Sequence, residues 1–573
     1  MHSRLYKLLT GIVLSIGMLK SFLYLRVDPD AQHSGFVYAQ AIAVSNGLLP
    51  NRDFLSPYGV TGPVLNGLWL KLTTDSLLSL LLFYGILTGL TGYLIQRISS
   101  RYVGRKIGIL LNLIWVLTMA TTIPWPSILS TFLSLISFTI LIENLSKFRS
   151  SVKVNRIFLI PVVIALQISI LTRIQLLLVP VLFSIYLLCN LKKVNLQIVR
   201  FWFGTNLVIG STLIILLTVT NILPSYIDQA ILWPLTEFSH PSFNLSWWFS
   251  FVWFPASSAL LLLITYLGVK VFKTEKTYLG LSYIAIVVLI FSLFHFYSNM
   301  EFTSYNTNTL RTVPGLVKNA STNFQFILFY SSAMFLLAGI VYSLSTVRKS
   351  MVFEISRLFD LEHFIIMLMG FTGLSQLYPL RDNVHLWFVA PLLMVSASYY
   401  FRLIHWNKDQ VKKSLVVILS SILFVQTMVL FKFIQVDRKP LTSYALRGLF
   451  SDSQHQLGID KTMYFLDKNL TNRVLRNNCV DSLYSVARGK YVSVDGNFSS
   501  NSFGNFTDIV PIVDPSPNKP LYVLECRISN LKIQEILSGG ATITFQSGNL
   551  AKPTEIEQYF DVLFRNPGIE LVK

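Results

Sequence analysis

The side chains able to do chemistry concentrate in one early segment, Val27-Asp-Pro-Asp-Ala-Gln-His-Ser-Gly-Phe-Val-Tyr38. It continues as Asn46-Gly-Leu-Leu-Pro-Asn-Arg-Asp-Phe-Leu-Ser-Pro-Tyr-Gly59. Two carboxylates, Asp28 and Asp30, follow directly on a long apolar run, and Arg52 stands beside Asp53 farther along. Ionisable groups at membrane depth are costly to keep and are functional by default. Acids in that place also cap a following helix or mark the water boundary, and the residues alone leave both readings open. Arg52 with Asp53 reads as loop architecture before catalysis. Glu237 and His240, in Trp233-Pro-Leu-Thr-Glu-Phe-Ser-His-Pro241, can join Asp28 or Asp30 around a divalent cation, although their spacing fits no metal motif.

These groups must be held by membrane helices. The chain has 573 residues, of which 53% are hydrophobic and only 13% charged, and its mean hydropathy is +0.56. A soluble chain of this length needs more polar surface than that to cover its core. Apolar runs of spanning length recur from Tyr6 to Ile434, and a bilayer takes about 20 apolar residues per helix. In lipid such runs must satisfy their own backbone groups as helices. The fold class expected is therefore an all-α polytopic membrane protein of about 13 transmembrane helices. Spans are expected near 5–25, 76–97, 107–123, 127–145, 157–172, 175–191 and 201–222. The others fall near 249–271, 279–298, 323–345, 363–378, 386–402 and 414–434. The first run is too long for a cleaved signal and lacks a small-residue cleavage site, so it reads as an anchor that stays. Gly85 and Gly89 form a Gly-x-x-x-Gly pair suited to close helix packing.

The net charge of +19 sets topology and excludes no membrane role. Alternate gaps between spans hold Arg97, Arg101, Arg105 and Lys106, then Lys147, Arg149, Lys153 and Arg156, and the pattern continues to Lys412 and Lys413. The intervening gaps hold few basic residues, chiefly Arg26, Arg52, Arg311, Lys318 and Arg381. That segregation is the positive-inside signature. It expects a plasma (inner) membrane protein with a cytoplasmic N-terminus and an extracytoplasmic C-terminus, and it argues against a nucleic-acid partner.

The loop over 26–75 is too long for a simple connection, and long connections tend to be functional or disordered. From Ser34 to Leu48, Phe36, Ala39, Ile42 and Ala43 recur at helical spacing, which predicts an amphipathic helix lying in the interface. A second apolar stretch, Val64 to Leu72, follows. The boundaries expected are a membrane unit over 1–435 and an extracytoplasmic domain over 436–573. Strand-like runs at Tyr491–Val494, Leu521–Leu524 and Ala541–Phe545 make that tail a small α/β domain. Of the three cysteines, Cys189 reads as inert helix packing. Cys479 and Cys526 are expected to pair where disulfides persist.

The first loop resembles that of the GT-C superfamily, polytopic glycosyltransferases that use polyprenyl-phosphate-linked sugars. The residues carrying the likeness are Asp28, Asp30, His33, Gly35, Phe36, Tyr38, Gly47, Pro50, Arg52, Asp53, Phe54, Tyr58 and Gly59. Tyr378-Pro-Leu-Arg-Asp-Asn-Val-His385 is similar to a Tyr/Phe-Pro-Arg-x-Asp-x-x-His element of these proteins. Thr172-Arg173-Ile-Gln175 resembles their basic-polar turn between the fifth and sixth helices. The superfamily often has an acid immediately before the Gly-aromatic pair, where this chain has His33 and Ser34. The resemblance implies a GT-C-like catalytic unit and transfer of a hexosyl or pentosyl group from a polyprenyl-phosphate donor to a cell-envelope glycan, lipid or protein. It implies Asp30, then Asp28, as the general base. Arg381 is the first candidate to neutralise the phosphate, followed by Arg311 and Arg173. His385, Arg52, Asp53, His33, Tyr58 and Glu237 complete the expected substrate-binding set. No cofactor is required by this reading, with a divalent cation left open. The rivals are a transporter or flippase of lipid-linked sugars, a glycan polymerase or ligase, and a non-catalytic scaffold. Transporters usually show inverted repeats and broken midplane helices, whereas here the polar residues cluster on one side.

Overall fold

The computed structural model describes residues 3–25, 33–118, 124–148, 156–192, 194–232, 361–376, 383–403 and 437–451. In the tail it also describes 454–469, 474–477, 482–492, 521–525, 542–546 and 569–572. Asp28, Asp30, Glu237, His240, Arg311, Arg381, Cys479 and Cys526 lie outside the described residues, as do the spans expected near 249–271, 279–298, 323–345 and 414–434.

The described part is mostly helical. The first five helices are α1 (Ser3–Leu25), α2 (His33–Ser45), α3 (Thr61–Leu72), α4 (Leu77–Val103) and α5 (Arg105–Thr118). After them come α6 (Pro126–Glu143), α7 (Leu159–Ile170), α8 (Leu178–Cys189), α9 (Leu196–Val219) and α10 (Leu223–Ile227). The helices α11 (Leu361–Ser375) and α12 (Asn383–Leu403) follow, and α13 (Gln454–Asn469) belongs to the tail. Among the described residues α4, α6 and α9 are long and apolar enough to cross a membrane, and several shorter apolar helices accompany them. Much of α9 is exposed, including Leu207, Val208, Ile215 and Val219. Such a surface is unfavourable in water and at ease in lipid.

Local chemistry sets the helix ends. Ser76 caps α4 through its hydroxyl, which accepts from the Ser79 amide at 3.3 Å. Gly104, at φ 85°, ends the same helix in a conformation glycine adopts freely. Pro126 opens α6, where its missing N–H has no partner to lose. Between helices the glue is polar and small. Gln96 of α4 accepts from Asn112 of α5 at 2.9 Å and donates to Thr10 of α1. Ser169 of α7 donates to the carbonyl of Ser130 at 3.1 Å, and Ser130 donates to Gln376 beyond α11. Bonds of this kind contribute about 0.6 kcal/mol each in apolar bundles. Gly89 lies against Met18 and Leu14 of α1, as its Gly-x-x-x-Gly setting predicts.

The ends of α4 differ. Near its C-terminus Arg97 meets Glu143 of α6, Nη2 to Oε2 at 2.8 Å, and Arg101 meets Glu362 of α11 at 3.2 Å. At its N-terminus the Leu77 amide donates to the carbonyl of Ala445 in the tail at 3.1 Å. Leu77 and Arg97 stand about 30 Å apart along the helix, so the tail packs at the end opposite the basic cluster. In the tail the strands β3 (Val474–Asn477), β6 (Leu521–Glu525), β7 (Thr542–Gln546) and β8 (Ile569–Val572) form one parallel sheet in that order. Two short antiparallel pairs accompany it, β1 (Lys439–Pro440) with β2 (Phe450–Ser451) and β4 (Val486–Ala487) with β5 (Lys490–Tyr491). The strands expected at 521–524 and 541–545 fall on β6 and β7.

Two expectations are corrected. The helix predicted in the first loop forms as α2, but every residue from Ser34 to Ala43 is buried, so it has no wet face of the kind an amphipathic helix presents. Gly67 of α3 fits against its Val44 on one side, and its own Gly35 meets Leu483 of the tail on another. Helical spacing of apolar residues reports one buried face and carries no information about a partner on the other. Cys189 is the last residue of α8 and is exposed, so it is not packed inside the bundle.

Glycine at 89 tests the α1–α4 contact. An overpacked helix seam costs about 1–3 kcal/mol, so Gly89→Leu is expected to lower the melting temperature in detergent by several degrees. Gly11→Leu, at a site with nothing within 4 Å, is expected to leave it unchanged.

Candidate functional site

The loop before α3 is wired to distant helices. Asn51, held at φ 62°, donates from Nδ2 to the Ser56 carbonyl at 2.8 Å and to Gln229 Oε1 at 2.9 Å. Gln229, just after α10, also accepts from the Ser56 amide at 3.0 Å and donates to the Asn51 carbonyl at 3.0 Å. Gly59, at φ 98°, presses against the carbonyl of Leu171 so closely that any Cβ would collide with that oxygen. The Val60 amide donates to the same oxygen at 3.0 Å. These bonds dock the Tyr58-Gly59 corner on the turn that links α7 to α8.

That docking brings Tyr58 to Arg173. The guanidinium carbon of Arg173 sits 5.0 Å from the centre of the Tyr58 ring, within the reach of a cation–π contact. Tyr58 lies 5.0 Å from Trp125, and Trp125 lies 5.4 Å from His33 and 6.2 Å from Phe36. Trp125 precedes the first residue of α6 in an extended conformation, and His33 opens α2. Three expected site residues are thus linked in a row: His33 and Tyr58 both meet Trp125, and Tyr58 carries Arg173.

Arg173 is the unusual member. It is 3% exposed, its Nη2 donates to Ser127 Oγ, and its buried Nε has no hydrogen-bond partner among the described residues. Among those residues no carboxylate forms an ion pair with it. A buried charge is expensive unless compensated. A guanidinium carried on an aromatic face with a donor unused is suited to an anion, and above all to a phosphate or carboxylate.

Arg52 and Asp53 have another task. Arg52 Nε meets Asp53 Oδ1 at 2.9 Å and Nη2 meets Oδ2 at 2.9 Å. Asp53 also accepts from the Leu49 amide at 2.8 Å, while Arg52 donates to the Thr220 carbonyl at 3.3 Å. The hydrogen bond from Arg52 holds the Asp53 carboxyl below its usual pKa, against desolvation and with help from the Leu49 amide. The pair organises the loop and stands apart from the Tyr58–Arg173 contact. His385 falls in the first turn of α12.

Trp125 and Ser127 escaped the reading of the chain, although Pro124-Trp-Pro-Ser127 carries a signal: a tryptophan between two prolines at a helix start. Gln229 has none, because a glutamine ten residues after a long apolar helix is ordinary. Among the described residues no cluster of His, Cys, Asp or Glu could hold a metal; Asp28, Asp30, Glu237 and His240 are not among them.

The depressed Asp53 pKa has a sign. Its stabilisation is full above the unfolded value of about 3.9 and disappears as pH falls through the lower folded value. With Arg52 partly in solvent the pair contributes less than about 1 kcal/mol. Asp53→Asn is therefore expected to lower the melting temperature slightly at pH 7 and to match the unsubstituted chain at the acid end of that window.

Comparison with known proteins finds no match, either to a family or to a curated protein.

Proposed function

We propose that the chain is a multi-pass glycosyltransferase of GT-C-like architecture, with about 13 membrane spans, that moves a sugar from a polyprenyl-phosphate donor to an extracytoplasmic acceptor. The observation that carries this reading is Arg173, buried, seated on Tyr58 and without a carboxylate among the described residues. A lipid phosphate arriving from the bilayer is an anion such a site would take. Arg173 stands in the turn before α8 and touches Tyr58 of the loop that follows the two acids in sequence, which supports a shared site.

In this reading the acceptor hydroxyl oxygen attacks the anomeric carbon and its proton passes to Asp30, with Asp28 second. The bond from that carbon to the lipid phosphate oxygen breaks, and its electron pair leaves with the phosphate. Arg173 neutralises the growing charge, a role it shares with Arg381 and Arg311. The placement of the tail and the Arg97–Arg101 cluster at opposite ends of α4 supports a tail outside and a cytoplasmic basic end.

Loss of one donor aimed at developing charge costs about 10²–10³ in turnover. Arg173→Met, assayed with purified protein and a polyprenyl-phosphate-sugar panel, is expected to lose at least about a hundredfold while folding survives. Wild-type turnover in the folded variant would move the phosphate role to Arg381 or Arg311.

Asp30→Asn keeps the size of the side chain but cannot take a proton at neutral pH. It is expected to lower turnover by about 10²–10⁴-fold with donor binding retained. Normal turnover in both Asp30→Asn and Asp28→Asn would overturn the mechanism. Movement of intact lipid-linked sugar across vesicles, with no transfer, would favour the flippase.

A further inference from the structure

We propose that the tail segment 482–491 is a positioning element for the first-loop site, with Leu483 as the contact residue that sets the place of α2. This rests on the transferase reading for its catalytic consequence and on contacts alone for its structural one.

The helix α2 begins at His33, immediately after the segment that contains both acids. Two residues on, Gly35 faces Leu483 so closely that a Cβ would lie 2.9 Å from the Leu483 backbone nitrogen and 3.2 Å from its Cα. Backbone cannot swing aside as a side-chain tip can, so the distance between α2 and the tail is set at the glycine. Leu483 is fully buried, in the core cluster that also holds Phe36 and Tyr38 of α2. Just past the C-terminal end of α2, Asn46 Nδ2 donates to the Gly489 carbonyl at 3.2 Å. Gly35 and Asn46 are about 16 Å apart along the helix, so the segment holds α2 near both ends. The Tyr491 ring adds a contact to Phe54 at 6.3 Å.

The segment is itself held by backbone pairing. Strands β4 and β5 pair through Val486 with Tyr491 and Ala487 with Lys490. Arg488 and Gly489 between them have φ 49° and 71°, the signs of a type I′ hairpin turn. Asp467 of α13 accepts from the Arg488 amide at 2.8 Å and from the Tyr444 amide at 2.8 Å. A chain of contacts thus runs from α13 through the hairpin tip to α2. Placement of reacting groups is stringent, and a shift of about 1 Å can cost about 10²-fold.

The test uses the full chain in detergent or nanodiscs, with Gly35→Ala, Asn46→Ala and, as control, Gly11→Ala at a site with nothing within 4 Å. Hydrogen–deuterium exchange over 33–45 is expected to quicken about tenfold in Gly35→Ala, as local opening becomes easier, and to stay unchanged in Gly11→Ala. With a polyprenyl-phosphate-sugar donor, kcat is expected to fall at least about tenfold in Gly35→Ala while donor KM holds, and to stay unchanged in Gly11→Ala. If Gly35→Ala does not fold, Asn46→Ala is expected to show the same pattern more weakly. Unchanged exchange over 33–45 in the folded variants overturns the inference. Quickened exchange in a protein that turns over no donor keeps the contact and overturns the transferase reading instead. Quickened exchange with normal kcat overturns the positioning role.

Discussion

The approach of Gly59 to the carbonyl of Leu171 is the contact on which the site depends. At φ 98° and with no room for a Cβ, the chain there has one usable residue type. Because Gly59 seats on the turn after α7, Tyr58 is delivered to Arg173 and the start of α3 is pinned by the Val60 amide. A larger residue would lift the corner away and separate the ring from the guanidinium. The loop 46–60 is therefore defined by tertiary docking: it has little regular structure of its own and takes its form from Leu171, Gln229 and the Arg52–Asp53 pair.

The same economy governs α2. A helix without a strongly polar face is unstable alone in water, since helical stability in proteins comes mostly from packing. Here the bundle side and the tail both cover it, and buried residues of the helices and of the tail join in one cluster that includes Tyr38, Leu80, Ala445 and Leu483. The first loop is thus the common floor of the two units expected from composition. Its order is tied to the tail in a way no boundary drawn by hydropathy expresses.

The polar chemistry inside the bundle is arranged by depth. Gln96 with Asn112 and Ser130 with Gln376 join neighbouring helices in the interior, where they replace contacts that apolar side chains would make without direction. Arg97 with Glu143 and Arg101 with Glu362 tie the opposite end, where partial exposure makes such pairs contribute little. Arg173 departs from this pattern: a fully buried cation on an aromatic ring, with no acid beside it among the described residues, is unlike the paired charges elsewhere. That departure is what makes it a functional candidate.

Among the described residues, composition and spacing alone gave the apolar helices with their approximate ends, the close-packing role of Gly89 and the strands of the tail at 521–525 and 542–546, because each follows from local pattern or from a run long enough to average over context. His33, Tyr58 and Arg173 were named from motif and charge, yet nothing in the chain placed them together. Their linkage depends on Gly59 meeting Leu171, 112 positions away in sequence, and on Trp125 standing between His33 and Tyr58. Likewise the spacing in 34–48 announced a helix but assigned it a wet face, since periodicity cannot see a second partner. Long-range contact decided which of the polar residues face one another, because a residue's type fixes what bonds it can make and only the folded chain fixes with whom.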